Sequence, residues 1–267
     1  METISVWARE RNVSVLGLAE EVDRIYGDAE AVASGDLAQR TDLIVSLGGD
    51  GTMLRAMRLV HGHAAPVLGV NLGRLGFLAE IDIPDLADAL SAIDAHQFTV
   101  ETRSGVRAVF ADQDVTAFND VALVRVPGRG TAAVVEVQVQ GHPFLRYAAD
   151  AVVVATPTGS TAYSFSAGGP IVSPSAEGLL VVPAAPHSAF NRALFLSSGE
   201  RLALQVLATS SELAVEADGQ VVGYLRPGDV VEVCLLPSAA RVVRLGRTTF
   251  YQRVQRRLRL TGSVEAD

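Results

Sequence analysis

Lysine does not occur anywhere in the 267 residues, so every positively charged side chain other than histidine is an arginine. That excludes a phosphate-loop lysine and a Schiff-base lysine. Any anionic ligand must be held by arginine, backbone amides, helix N-termini or metal ions. Cysteine is almost absent too: with Cys234 alone, no intramolecular disulfide can form. Its neighbours, residues 231–236, read as a buried strand, and Cys234 is expected there as a small core residue. Aromatics make up only 6% against 49% hydrophobic residues, so the core is expected to be aliphatic. No apolar run reaches membrane-spanning length and no signal-peptide pattern opens the chain, which predicts a cytoplasmic protein without a membrane partner. The net charge of −8 argues against nucleic acid as a partner. It leaves a local phosphate site open.

What is present falls into two patterns. Over the first hundred residues, short apolar runs alternate with helical ones. Residues 3–7, 42–47 and 66–70 read as strands; 13–26 (closed by Gly27), 52–61 and 84–95 read as helices. Such alternation predicts an α/β, Rossmann-like domain with a mostly parallel sheet over residues 1–98. From about residue 99 to 245 the runs are short and β-like, at 132–140, 151–155, 179–183, 202–207, 212–217 and 230–235. Turn signals such as Asp218-Gly219 separate them. This predicts an all-β domain. Residues 248–260 are expected to form a last helix, so that 246–267 return to the first domain, with the arginines from Arg253 to Arg259 on a solvated or interface face.

The first chemical signal is Gly48-Gly49-Asp50-Gly51-Thr52, between the strand at 42–47 and a helix. Glycine lets a phosphate approach the backbone, and amides at a helix start favour an anion. Asp50 sits at the carboxyl end of a strand, where open α/β sheets bind ligands. A carboxylate there can hold a metal ion or accept a proton from an attacking hydroxyl. An ordinary strand-to-helix turn capped by Asp50 is the bland alternative. The string resembles the Gly-Gly-Asp-Gly motif of NAD kinases, of diacylglycerol and sphingosine kinases and, more distantly, of phosphofructokinases. The resemblance implies phosphoryl transfer and leaves the acceptor open.

The second signal is residues 156–170, Thr-Pro-Thr-Gly-Ser-Thr-Ala-Tyr-Ser-Phe-Ser-Ala-Gly-Gly-Pro. Small residues admit a flat ligand, hydroxyls can read its polar edge, and Tyr163 can stack on a ring. This segment resembles the signature of NAD kinases. So do Asn119-Asp120, residues 66–80 and residues 180–183, in the family's order.

The resemblance implies that Asp50 is the general base for the ribose 2′-hydroxyl, with Gly48, Gly49, Gly51 and Thr52 forming the phosphate loop and Arg55 reaching the same region. It implies that Asn119 and Asp120 hold the ribose side. Asp150, Thr161, Ala162, Tyr163, Ser164, Phe165 and Ser166 would surround adenine, and Ala185 and Gln220 would lie near the dinucleotide. It further implies ATP or polyphosphate as donor, a divalent metal (Mg²⁺) carried by that donor, no dedicated metal-ligand set, and a homodimer or homotetramer. Three departures stand out. Alanines 149 and 151 flank Asp150 where the family has glycine, Asp120 replaces the more common Glu, and Ala148 stands where some relatives carry Arg. A lipid kinase sharing the first motif, and a non-catalytic dinucleotide-binding regulatory protein, are the rival readings. His61 and His63 lack a third ligand and read as a surface turn.

Overall fold

The computed structural model describes residues 2–22, 29–73, 76–128, 132–187 and 189–260. The chain divides into two compact units, Met1–Thr102 with Ala240–Asp267, and Arg103–Ala239.

The first unit departs from expectation at its start. Residues 3–7 are not a strand but part of helix α1, Glu2–Arg11. Ile4 and Ala8, four residues apart, are buried on one face, and Ile4 and Trp7 join the core of this unit. Packing of that face overrides the local β-branched preference. Nor does a helix form over 13–22. Strand β1, Leu16–Leu18, pairs in parallel with β2, Glu30–Val32, and bonds from Glu30 N–H to the Val15 carbonyl and from Ala19 N–H to the Val32 carbonyl extend the ladder. The rest of the expected helix, 23–26, and Gly27 lie outside the described residues.

From there α2 (Ser34–Arg40), β3 (Ile44–Gly48), α3 (Asp50–Leu59), β4 (Val67–Asn71), β5 (Ile81–Asp82) and α4 (Leu86–Asp94) follow the expected alternation. β3 runs parallel to β4 from Ile44↔Val67 to Gly48↔Asn71, and β4 runs parallel to β5. All five residues of β4 are buried, as in a parallel strand covered on both faces. Near the C-terminus, Val242 pairs in parallel with Val67. The last helix, Phe250–Leu258, opens with a capping box between Thr249 and Gln252. Its arginine face is not wholly solvated: Arg253 is buried, because a buried carboxylate receives it, as described below.

The second unit is built of strands: β6 (Thr99–Phe110), β7 (Gln113–Ala117), β8 (Asp120–Arg125), β9 (Ala133–Val139), β10 (His142–Ala149), β11 (Ala151–Ala155), β12 (Gly178–Ala184), β13 (Leu194–Ser197), β14 (Leu202–Val206), β15 (Leu213–Ala217), β16 (Gln220–Leu225) and β17 (Val230–Arg244). The unit begins within β6, at Arg103, and ends within β17, at Ala239. Antiparallel pairing gives one sheet in the order β13-β12-β11-β8-β15-β16 and a second run β10-β9-β14-β17. Alternate aliphatic residues of both, among them Leu123, Val154, Val137, Leu204 and Val231, share one core. The two-residue period of β17 turns Val231, Val233 and Leu235 inward, so Cys234 is only half-buried and not the core residue expected of it.

Candidate active site

In the first unit the site is a turn. β3 ends at Gly48 and α3 starts at Asp50, with Gly49 as its N-cap. The three glycines differ in purpose. A Cβ on Gly48 would lie 2.2 Å from the Thr52 hydroxyl oxygen, so that glycine serves close packing; around Gly49 and Gly51 a Cβ would meet nothing within 4 Å. Those two leave the start of the helix backbone open to an approaching anion. The Asp50 carboxylate is held firmly: its Oδ2 accepts the Phe77 N–H and its Oδ1 the Leu78 N–H, each at 3.0 Å. Gly76 makes this possible, since a Cβ there would sit 2.1 Å from Asp50 Oδ1. Amide donors carry no side-chain signature, so the sequence hid this cradle; its traces are Gly76 and the family-like segment 66–80 around it. Arg55 is engaged with Glu20, at 2.9 Å, and with Glu21.

In the second unit, Asn119 and Asp120 lead into β8. Asp120 is buried. Burial, then the charges of Asp218 and Glu216, push its carboxyl up to about 7, against the opposing pull of the Tyr163 N–H. Asp218, Glu216 and their connection to this bend are residues the motif reading missed. The only sequence signal was the Asp218-Gly219 hairpin, and its two positive φ angles, 47° and 76°, match such a turn.

The segment after β11 folds as a short 3₁₀ turn, Thr158–Thr161, and one helical turn α5, Tyr163–Ser166. Several of its hydroxyls work inward. Thr156 Oγ1 donates to the Phe118 carbonyl at 2.6 Å and accepts the Gly159 N–H, Ser164 Oγ donates to the Gly159 carbonyl, and Ser160 bridges to Val172. Thr161, Ala162 and Tyr163 are half-buried, and Phe165 and Ser166 exposed. Tyr163 packs against the small buried cluster of Ala122, Val153, Ala155, Leu180 and Val182. Burial, and then Glu216, Asp120 and Asp150, raise its hydroxyl pKa, so it stays protonated at neutral pH.

Asp150, between β10 and β11, accepts from Arg125 Nε at 2.6 Å. Its flanking Ala149 and Ala151 are fully buried, so both extra methyls are absorbed within the packed strands. Ala185 is exposed and left-handed, with φ 46°, a conformation alanine adopts at a cost. Gln220 is exposed at the start of β16. Asn119, Asp120, Tyr163, Glu216 and Asp218 thus form one neighbourhood, and the field of Asp150 reaches it through Tyr163. Among the described residues, no group of three or more His, Cys, Asp and Glu side chains could hold a metal ion.

The Asp120 shift has a measurable consequence. Its folded pKa lies above the unfolded value, so its stabilising contribution is complete below about pH 4 and is lost as pH rises to about 7. Replacing Asp120 by Asn keeps an acceptor for Tyr163 and removes the charge. Unfolding by urea at pH 4.5, 6 and 8 is expected to give a variant that gains on the wild type with rising pH, by about 2–4 kcal/mol at the top of the range. A difference independent of pH would contradict the assignment.

Residues 2–98 match the ATP-NAD kinase N-terminal domain and residues 118–245 the ATP-NAD kinase C-terminal domain. The chain is 40% identical over 299 residues to NAD kinase 1 of Streptomyces avermitilis, covering 97% of this chain and 83% of that protein. It is 37% identical over 264 residues to the NAD kinase of Desulforamulus reducens, covering 97% and 91%. Among solved structures, yeast NADH kinase complexed with NADH superposes with a TM-score of 0.84 at 26% identity, over 99% of this chain and 85% of that one. An NAD kinase from Archaeoglobus fulgidus in complex with ATP gives 0.71 at 27% identity, over 96% of each. With both domains matched, and a relative 40% identical over 97% of this chain, this chain belongs to the NAD kinase family.

Proposed function

We propose that the chain transfers the γ-phosphoryl group of ATP to the 2′-hydroxyl of the adenosine ribose of NAD, forming NADP and ADP. The observation that carries this is the agreement of relatives named NAD kinase over both units of the chain. The local chemistry supports it. A ribose hydroxyl is a weak acid and attacks phosphorus only as its proton is withdrawn. Asp50, its carboxylate aimed by two backbone amides, takes that proton as the new O–P bond forms and the bond to ADP breaks. Loose phosphoryl-transfer transition states ask mainly for position and charge neutralisation. The open amides at Gly49 and Gly51, with Thr52 and the start of α3, meet the donor's charge. Arg55 joins them by exchanging its glutamate partners for phosphate. Mg²⁺ arrives bound to the donor, where it needs few protein ligands.

On the acceptor side, carboxylates suit a ligand rich in donors. Asn119 and Asp120 accept from ribose hydroxyls, Asp150 from the adenine amino group, and Tyr163 packs on the ring, with residues 161–166, Ala185 and Gln220 around it. The working form is a homodimer or homotetramer in the cytoplasm; no helix among the described residues is long and apolar enough to cross a membrane. ATP is preferred to polyphosphate as donor, in keeping with the ATP complex of the Archaeoglobus fulgidus relative. The test is a coupled assay that offers NAD or NADH with ATP or polyphosphate, with and without Mg²⁺. NADP from NAD and Mg·ATP is expected. Binding of NAD without NADP from any donor would point to a non-catalytic binding protein and overturn the proposal.

A further inference from the structure

We infer that Asp218 is a positioning residue for the acceptor: its carboxylate gathers three successive backbone N–H groups and so fixes the bend that presents Asn119 and Asp120. The inference rests on the functional reading above and deepens its acceptor site.

The geometry is specific. Asp218 Oδ1 accepts the Asn119 N–H at 2.7 Å and the Phe118 N–H at 3.1 Å, with the Asp120 N–H at 3.4 Å; Oδ2 lies 3.2 Å from the Phe118 nitrogen. The Asp218 N–H in turn donates to the Asp120 carbonyl at 2.9 Å. Three convergent amides form an anion-binding concavity, and here the anion is a side chain from a hairpin about a hundred positions away. The carbonyl side of the same bend is fastened separately. The Phe118 carbonyl accepts from the Thr156 hydroxyl at 2.6 Å, and the Asn119 carbonyl from the Thr156 N–H at 2.9 Å. Gly159 packs so tightly that a Cβ would come within 2.0 Å of the Asn119 carbonyl oxygen. Residues 118–120 are therefore gripped from both sides.

A hairpin alone does not explain this. At a positive φ, Asn serves as well as Asp, and a hairpin residue has no need to bond a distant strand. The charge has a second effect. Asp120 faces Asp218 and Glu216 from one hairpin and the Tyr163 N–H from α5, and Asp218 is the larger of the two charges raising its pKa. Position and protonation of the acceptor bend thus share one residue.

Asp218→Asn keeps the turn while removing the charge and replacing one acceptor oxygen by a donor. In the full chain the KM for NAD is expected to rise about tenfold or more, with the KM for ATP within about twofold. The pH profile of kcat/KM for NAD is expected to move to lower pH as Asp120 loses a neighbouring charge. Gly219→Ala, which strains the hairpin alone, lowers stability and leaves the pH profile in place. If Asp218→Asn does not fold, Thr156→Val loosens the bend from its carbonyl side and is expected to raise the KM for NAD several-fold. An unchanged KM for NAD and an unchanged pH profile, in a protein that does make NADP, overturn the inference. Absence of NADP from the wild type would instead overturn the functional reading, and titration calorimetry of NAD into wild type and Asp218→Asn would then decide this inference by itself, equal affinities refuting it.

Discussion

Asp50→Asn is expected to lower turnover at least about 10²-fold, the scale on which a positioned general base acts, while NAD and ATP still bind. The structure adds a second expectation. Both Asp50 oxygens accept backbone amides, from Phe77 and Leu78, and Asn can satisfy only one of them. The other N–H then faces an NH₂ donor, which costs on the order of 1–3 kcal/mol. The variant should fold, melt a few degrees lower and fail in chemistry. Single-turnover kinetics beside thermal unfolding separate the two effects. Turnover near that of the wild type would remove Asp50 from the role of base. A loss of turnover together with a loss of NAD binding would mean that the 76–78 segment had moved.

The largest stability effect is expected from Glu80→Gln. Glu80 is the buried hub of the first unit, its side chain only 1% exposed. Its Oε2 accepts from Arg244 Nη1 and Arg253 Nη1, each at 2.9 Å, and its Oε1 accepts the Leu245 N–H at 2.9 Å. Arg244 also reaches Glu101 at 3.0 Å, but Glu101 is half exposed, so water screens its charge. Burial already lowers the Arg253 pKa, and its Nε is the one buried side-chain polar atom without a partner among the described residues. Removing the Glu80 charge leaves buried cations uncompensated, at a cost of about 3–5 kcal/mol. That is a large part of the 5–15 kcal/mol typical of a folded domain. Urea unfolding measures it, and a change below about 1 kcal/mol would mean that water or Glu101 already neutralises the pair. Activity should fall as well, because Arg244 Nη1 also bonds the Leu78 carbonyl at 3.3 Å, and the Leu78 N–H is one of the two donors to Asp50. Replacing Glu80, Arg244 and Arg253 together by apolar residues of similar volume should recover much of the stability, which distinguishes an unpaired charge from a lost contact.

Local pattern and structure agree where packing and propensity point the same way. The strand expected at 42–47 is observed as Ile44–Gly48, and the strand at 151–155 as Ala151–Ala155. The helix at 84–95 appears as Leu86–Asp94, preceded by a 3₁₀ turn holding Pro84. They disagree at residues 3–7 and 13–22, where short segments have weak preferences and the outcome rests on what they pack or pair with: Ile4 in a helical face, Leu16–Leu18 beside Glu30–Val32. Arg253 follows the same rule, since nothing in an arginine-rich helix announces a buried glutamate that lies 173 positions earlier in the chain.

By itself, the sequence determined the α/β-then-β architecture, through a change in hydrophobic period. It also determined the motifs around Asp50, Asn119-Asp120 and residues 156–170, through residue types in a fixed order. It could not determine what holds those residues in place. Phe77 and Leu78 hold the Asp50 carboxylate, and the amides of residues 118–120 close on Asp218, through backbone groups that every residue but proline carries. The raised pKa of Asp120 follows from burial beside two other carboxylates, a property of dielectric and distance. Only the tertiary structure decides such quantities, because they depend on which groups are near one another in space.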